Sequence, residues 1–181
     1  MASTPIIDLD AWNVEETKIS FMKNSTAKNC AVTNSVTKLP IKTPLFKTTF
    51  GVDDKYGLKI KINRDEIPFE KFQEFDEFIE NMDKSTIFEK KKREPVYCPL
   101  ICNDSFMNFY INIDKLIVID EEHKIVELEI DILSKASQID TLKSLVHDNS
   151  KIICFIKFDY LYDTSGKYGV KKSVTKFKIL E

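Results

Sequence analysis

Glycine is scarce: four occur in 181 residues. A glycine-rich phosphate cradle needs consecutive backbone donors free of side-chain bulk, and no stretch supplies them. Arginine is scarcer, with Arg64 and Arg93 alone. Readers of duplex grooves lean on arginine for bidentate contacts to guanine, so no such element is expected. The two histidines have no nucleophile or ligand at a motif spacing. His123 lies in an acidic turn and His147 at an element end, where a capping role is the default. No apolar run reaches the roughly 18 residues of a membrane-spanning helix. The N-terminus lacks the basic region and long apolar run of a signal peptide, which points to an intracellular protein.

The four cysteines, Cys30, Cys98, Cys102 and Cys154, are irregularly spaced and fit small buried hydrophobes in a reducing compartment. Cys98 and Cys102 lie four apart, but no further ligands stand at a zinc-site spacing. Glu70, Glu74, Glu77 and Glu80 recur as the solvent face of a helix does, not as an acid–base pair. The sequence therefore assigns no catalytic residue, no metal ligand and no cofactor, and the chain is expected not to be an enzyme.

Apolar residues make up 43% and aromatics 11%, with 13 Phe, which is ample for a core. The net charge of −2 hides an uneven distribution. Residues 17–64 carry +8, residues 65–83 carry −7, and residues 151–181 carry +4. Such segregation can build a positive face on a near-neutral protein.

A single domain over 1–181 is expected, with 1–11 as a loose leader anchored by Trp12, the only tryptophan. Strands are predicted over 17–22 and 28–36, with a turn at Asn24-Ser25. The Leu39–Asn63 stretch is punctuated by Pro40 and Pro44, which force an extended chain, and by Gly51, where a positive φ is expected. It ends in the alternating run Leu58-Lys59-Ile60-Lys61-Ile62, a strand with one apolar and one lysine face. Phe72, Phe75, Ile79 and Met82 then predict an amphipathic helix from Pro68 to about Lys84, frayed through Phe88. A basic run, Lys90–Arg93, follows it. Strands are predicted over 96–101, broken by Pro99 and so at an edge, and over 106–113. A hairpin spans 115–132, a short helix is allowed within 133–147, and the last two strands are 151–162 and 170–180. Strands that do not alternate with helices suit a small barrel or sandwich.

The last two strands interleave lysine with aromatics. Lys167, Lys171, Lys172, Lys176 and Lys178 accompany Tyr168 and Phe177. The preceding strand offers Phe155, Phe158, Tyr160 and Tyr162. Cations that track phosphates and rings that stack on bases hold single-stranded nucleic acid. A half-buried strand with a lysine-coated solvent face gives the same pattern and blunts edge pairing. Both readings stand on these residues.

The order of short motifs adds a resemblance. Leu39-Pro40-Ile41-Lys42-Thr43-Pro44, then Thr49-Phe50-Gly51-Val52, then Gly166-Lys167-Tyr168-Gly169-Val170 before the final strand resemble a family of single-stranded-DNA-binding, OB-fold-like proteins of nucleocytoplasmic large DNA viruses. Thr49 stands where the family has Pro, Tyr168 where Phe is usual, and Lys171 where an aromatic is common. The resemblance implies a mainly β (α+β) fold: an OB-like β-barrel of about eight strands with one long capping helix. It implies sequence-tolerant binding of single-stranded DNA, or RNA, in viral replication or packaging. The location would be host cytoplasm or nucleus, a viral factory or the virion. Lys42, Lys47, Lys59, Lys61, Lys167, Lys171, Lys172, Lys176 and Lys178 would meet phosphates. Tyr160, Tyr168 and Phe177 would stack on bases. The rival expectation is a structural virion or adaptor protein that binds a partner through a β-edge, as a homo-oligomer or with another viral protein.

Overall fold

In the computed structural model, residues 5–21, 30–33, 39–55, 58–83, 95–111, 117–119, 125–127, 135–164 and 166–180 are described. Strand β1 (Ile7–Asp8) precedes two 3-10 turns (Leu9–Ala11 and Val14–Glu16), β2 (Lys18–Phe21) and β3 (Cys30–Thr33). The Pro- and Gly-punctuated stretch holds β4 (Ile41–Lys42), β5 (Phe46–Lys47), β6 (Val52–Asp53) and β7 (Lys59–Asn63). Helix α1 (Glu70–Asn81) is followed by β8 (Val96–Cys98), β9 (Ile101–Cys102) and β10 (Phe106–Ile111). The hairpin β11 (Ile117–Ile119) and β12 (Ile125–Glu127), helix α2 (Lys135–Leu145), β13 (Lys151–Thr164) and β14 (Lys167–Leu180) complete the chain. The turn at Asn24-Ser25, Gly57, the Lys90–Arg93 run, the extension through Phe88 and His123 lie outside the described residues.

The fold is mainly β, with one large mixed sheet and two helices. The main path runs β1-β4-β13-β14-β10-β7-β6. Its ends, β1 and β6, do not pair with each other among the described residues, so these strands form an open sheet rather than a closed barrel. Residues 7–11 are not a loose leader. Ile7 and Asp8 pair with Ile41 and Lys42, and Leu9 is buried in the core.

The centre of the sheet is the β13–β14 hairpin, 14 residues on each strand. Its ladder skips a residue twice. Phe155 pairs with Lys176 but Ile156 with Val174, so Thr175 is an extra residue on β14. Phe158 pairs with Lys172 but Tyr160 with Lys171, so Asp159 is extra on β13. Each bulge resets which side chains face which side. Both extra residues are tied down. The Thr175 hydroxyl donates to the Phe155 carbonyl (3.3 Å) and Ser173 Oγ to Asp159 Oδ2 (2.9 Å).

Helix α1 covers one face of this sheet. Phe72, Phe75 and Ile79 are fully buried. The Phe75 ring stacks on Phe158 of β13 at 4.4 Å, and Phe72 meets Phe109 of β10 edge-on at 6.2 Å. Trp12 closes the cluster against Phe72, Phe75 and Phe158. Asp76 shares this buried stripe, with 9% exposure. It accepts hydrogen bonds from Tyr97 Oη (2.6 Å), Leu100 N (2.7 Å) and Ile101 N (3.3 Å). The helix is thereby latched to the β8–β9 corner. Burial raises the Asp76 carboxyl above its ordinary value, against the pull of those three donors.

Replacing Asp76 by Ala leaves two buried backbone N–H groups and the Tyr97 hydroxyl without their acceptor. The expected loss of stability is about 3 kcal/mol. Urea unfolding followed by circular dichroism measures it, and a loss under about 1 kcal/mol would show that the latch does not matter.

Candidate nucleic-acid interface

Direct partners across a ladder lie on the same side of the sheet, so the register sorts every candidate residue. On β7, Ile60 and Ile62 face the core while Lys59 and Lys61 face away. Lys59 stands opposite Tyr110, and Lys61 opposite Asn108, on β10. Tyr110 pairs with Ser173 of β14; two residues back along the same strand, Lys171 shares that side and pairs with Tyr160 of β13. Beyond the bulges, Lys176 pairs with Phe155 and Lys178 with Ile153. Lys42 then joins Phe155, and Lys47 joins Lys151. At the other end of the hairpin Lys167 stays on this side, exposed. Lys42, Lys47, Lys59, Lys61, Tyr160, Lys167, Lys171, Lys176 and Lys178 therefore share the face opposite α1.

On that face, ammonium groups sit over aromatic rings. Lys59 Nζ is 5.5 Å from the Tyr110 centroid, and Lys171 Nζ lies 6.0 Å from Tyr110 and 5.4 Å from Tyr160. Lys61 Nζ lies 4.7 Å from Phe50 and 4.2 Å from Phe106, and Lys176 Nζ 4.9 Å from Phe155. These contacts hold cations and π-faces together at the surface. Phe50 and Tyr110 are 54% and 46% exposed, which is unusual for large rings. Two acids temper the charge. Asp8 binds Lys42 at 2.9 Å, and Asp159 lies among the face residues through its bond to Ser173. The exposed Glu70, Glu74, Glu77 and Glu80 of α1 lie on the other side of the molecule.

Three candidates are corrected. Tyr168 and Phe177 are 0% exposed and cannot stack on a base. Phe177 faces inward opposite Cys154, and Tyr168 packs on the Tyr97 ring at 5.1 Å. Lys172 also faces inward, opposite Phe158, with its ammonium 5.8 Å from the Phe109 centroid. Burial lowers its pKa, although the nearby charges of Cys102 and Asp76 favour the ammonium form. The Lys171-Lys172 pair thus splits between the two faces.

Sequence reading missed Tyr110, Phe106 and Phe50. The first two were legible in Phe106-Met107-Asn108-Phe109-Tyr110-Ile111, whose alternation puts Phe106, Asn108 and Tyr110 on the side away from the core. Phe50 carries no such signal, because its exposure is set by the loop that holds it.

The motif residues have structural duties. Thr43 is buried, donating its N–H to the Cys154 carbonyl (2.9 Å) and accepting from Cys154 N (3.0 Å). Gly169 leaves room for Tyr162, since a Cβ there would lie 2.6 Å from the Tyr162 hydroxyl. Burial, and the neighbouring Cys98, raise the pKa of that hydroxyl.

Among the described residues, no group of three or more His, Cys, Asp or Glu could hold a metal ion. Cys98 and Cys102 are free thiols, and burial pushes the Cys154 thiol well up. The His147 ring lies 2.8 Å from its neighbour's carbonyl. A hollow of about 470 Å³ beside α1 is lined by Val14, Glu15, Glu74, Glu77, Phe78, Asn81 and Met82, with no nucleophile or histidine among them. No helix among the described residues is long and apolar enough to cross a membrane.

The inward placement of Lys172 has a measurable consequence. Its folded pKa lies below the ordinary 10.5. The cost of burying the ammonium is therefore full below the folded pKa and shrinks as pH rises toward 10.5. Lys172→Met should be at least as stable as the parent at pH 7. Its advantage in melting temperature should then shrink as pH approaches 10; an advantage that grows with pH would contradict an inward Lys172. No protein-family model matches this chain, and no curated protein is significantly similar to it.

Proposed function

We propose that this chain binds single-stranded nucleic acid, DNA first among them, without sequence preference and without catalysis. Its place would be in viral replication or packaging, as the motif resemblance implies, with the open sheet serving as an OB-like platform. One observation carries the reading. The ladder register gathers lysines from β7, β14, β4 and β5 on a single face and interleaves them there with exposed rings. Lysine ammonium groups on this face would meet phosphates, and Tyr110, Tyr160 and Phe50 would meet bases. The acidic helix on the far side would orient the approach of a polyanion toward the sheet.

The rival reading, a virion or adaptor protein with a β-edge partner, has one observation in its favour. Val96 on β8 is 65% exposed, and β8 pairs only with β14 among the described residues.

The test is binding of labelled oligothymidylate between about 50 and 200 mM salt. Affinity should fall steeply across that range. Replacing Lys61 or Lys171 by Gln should weaken binding and reduce the slope of log K against log salt by about 0.7 each. Tyr110→Ala should cost roughly ten-fold in affinity, whereas Lys172→Met should leave it unchanged. Absence of binding at about 50 mM, or affinity indifferent to salt, would contradict the proposal.

A further inference from the structure

Phe50 is a large ring held in water by a rigid loop. Gly51 follows it with φ +58°, and a Cβ there would lie 2.8 Å from the backbone of Val146 and His147. Only glycine takes that conformation in that space without strain. The loop is pinned on both sides. Thr48 Oγ1 donates to the His147 carbonyl (2.7 Å), Asn149 N to the Thr48 carbonyl (2.8 Å) and Val52 N to the Val146 carbonyl (3.1 Å). On the sheet side, Glu66 accepts from Thr49 N (2.6 Å), from the Thr49 hydroxyl and from Asn63 N (2.7 Å). Glu66 thus couples the loop directly to the end of β7, the strand that carries Lys61.

Phe106, the first residue of β10, stands on the same side, and Lys61 Nζ lies over both rings. A rigid loop would gain by turning Phe50 inward if packing were its only purpose. Instead the ring is left 54% exposed, and the Lys61 ammonium lies 4.7 Å and 4.2 Å from the centroids of Phe50 and Phe106. Lys61 has somewhere else to go: its long stem lets the ammonium swing to a phosphate.

Building on the proposed binding of single strands, we infer that Phe50 and Phe106 form a preformed seat for one unpaired nucleobase. In the free protein, Lys61 occupies the seat. When a strand binds, the base takes the ring faces and the Lys61 ammonium transfers to the adjoining phosphate. The exchange keeps the cation partnered throughout, and the prefixed loop means little ordering entropy is lost on binding. Tyr110, four residues along β10 and so about 13 Å away, is a second and separate ring on the same path.

The experiment uses the full chain and a labelled oligothymidylate of about twelve residues, beside an abasic strand of equal length. Phe50→Ala and Phe50→Leu should each weaken thymidylate binding roughly ten-fold, and Phe50→Trp should not. Phe106→Leu should act like Phe50→Leu. None of the Phe50 variants should change the melting temperature, because the ring is largely exposed. On the abasic strand, Phe50→Leu and the parent should bind alike. In the free protein the Lys61 ε-protons should resonate upfield under two rings, and thymidylate should move them downfield. Normal thymidylate affinity in Phe50→Leu together with weakened affinity in Tyr110→Ala would overturn the seat and leave the face standing. Equal losses on abasic and thymidylate strands would also overturn the seat. Failure of the parent to bind either strand would overturn both.

Discussion

Two skipped residues in one hairpin decide where the charge of this protein lies. Lys171 and Lys176 are five apart, and in an unbroken strand they would face opposite ways. The bulge at Thr175 turns them to the same side. Phe155 and Tyr160 on the partner strand are also five apart, and the bulge at Asp159 does the same for them. Without these resets, half of the lysine–aromatic pairs would point into the helix-covered core, where a charge costs several kcal/mol unless paired. The bulges therefore bind stability and surface chemistry together: the same register that buries Cys154, Ile156, Phe158 and Phe177 turns Lys171, Tyr160 and Lys176 to the opposite face, where Phe155 lies beneath the Lys176 ammonium.

Helix α1 completes this division of labour. Its aromatic stripe seals the inner face against Phe109 and Phe158, and its glutamates face solvent on the far side. Among the described residues, lysines thereby gather on the face opposite α1 while α1 itself carries exposed glutamates. The Asp76 latch holds the helix to the β8–β9 corner through two backbone amides and one phenol. That polar link is tolerable in the interior because both carboxylate oxygens accept hydrogen bonds, from three donors in all.

Much of this was legible in the residues. Period-two runs located β7, β10 and the long hairpin, and the three- and four-residue steps of Phe72, Phe75 and Ile79 located α1. The break at Pro99 and the positive φ at Gly51 follow from residue type alone. What escaped depends on tertiary register. Alternation alone puts the neighbours Lys171 and Lys172 on opposite faces, but only the pairing shows that Lys172 and Tyr168 take the inner one, and the extra residue at Thr175 then brings Phe177 to that same inner face. Asp76 stands on the apolar stripe, four residues after Phe72, and that position could have marked it as a buried acceptor rather than another solvent acid. Closure is not legible at this level: alternation shows that strands exist but not whether the first and last pair, and among the described residues the path from β1 to β6 is open. Phe50 was legible only as part of a motif, because its exposure comes from contacts with residues about a hundred positions away in sequence.

The most direct test of the account is a backbone and side-chain NMR titration of the whole chain with an oligothymidylate at low salt. The account predicts shift changes concentrated at Lys59, Lys61, Phe106, Tyr110, Tyr160, Lys171 and Lys176, with Glu70–Asn81 of α1 unmoved. Changes centred on α1, or none at all at saturating strand, would contradict it.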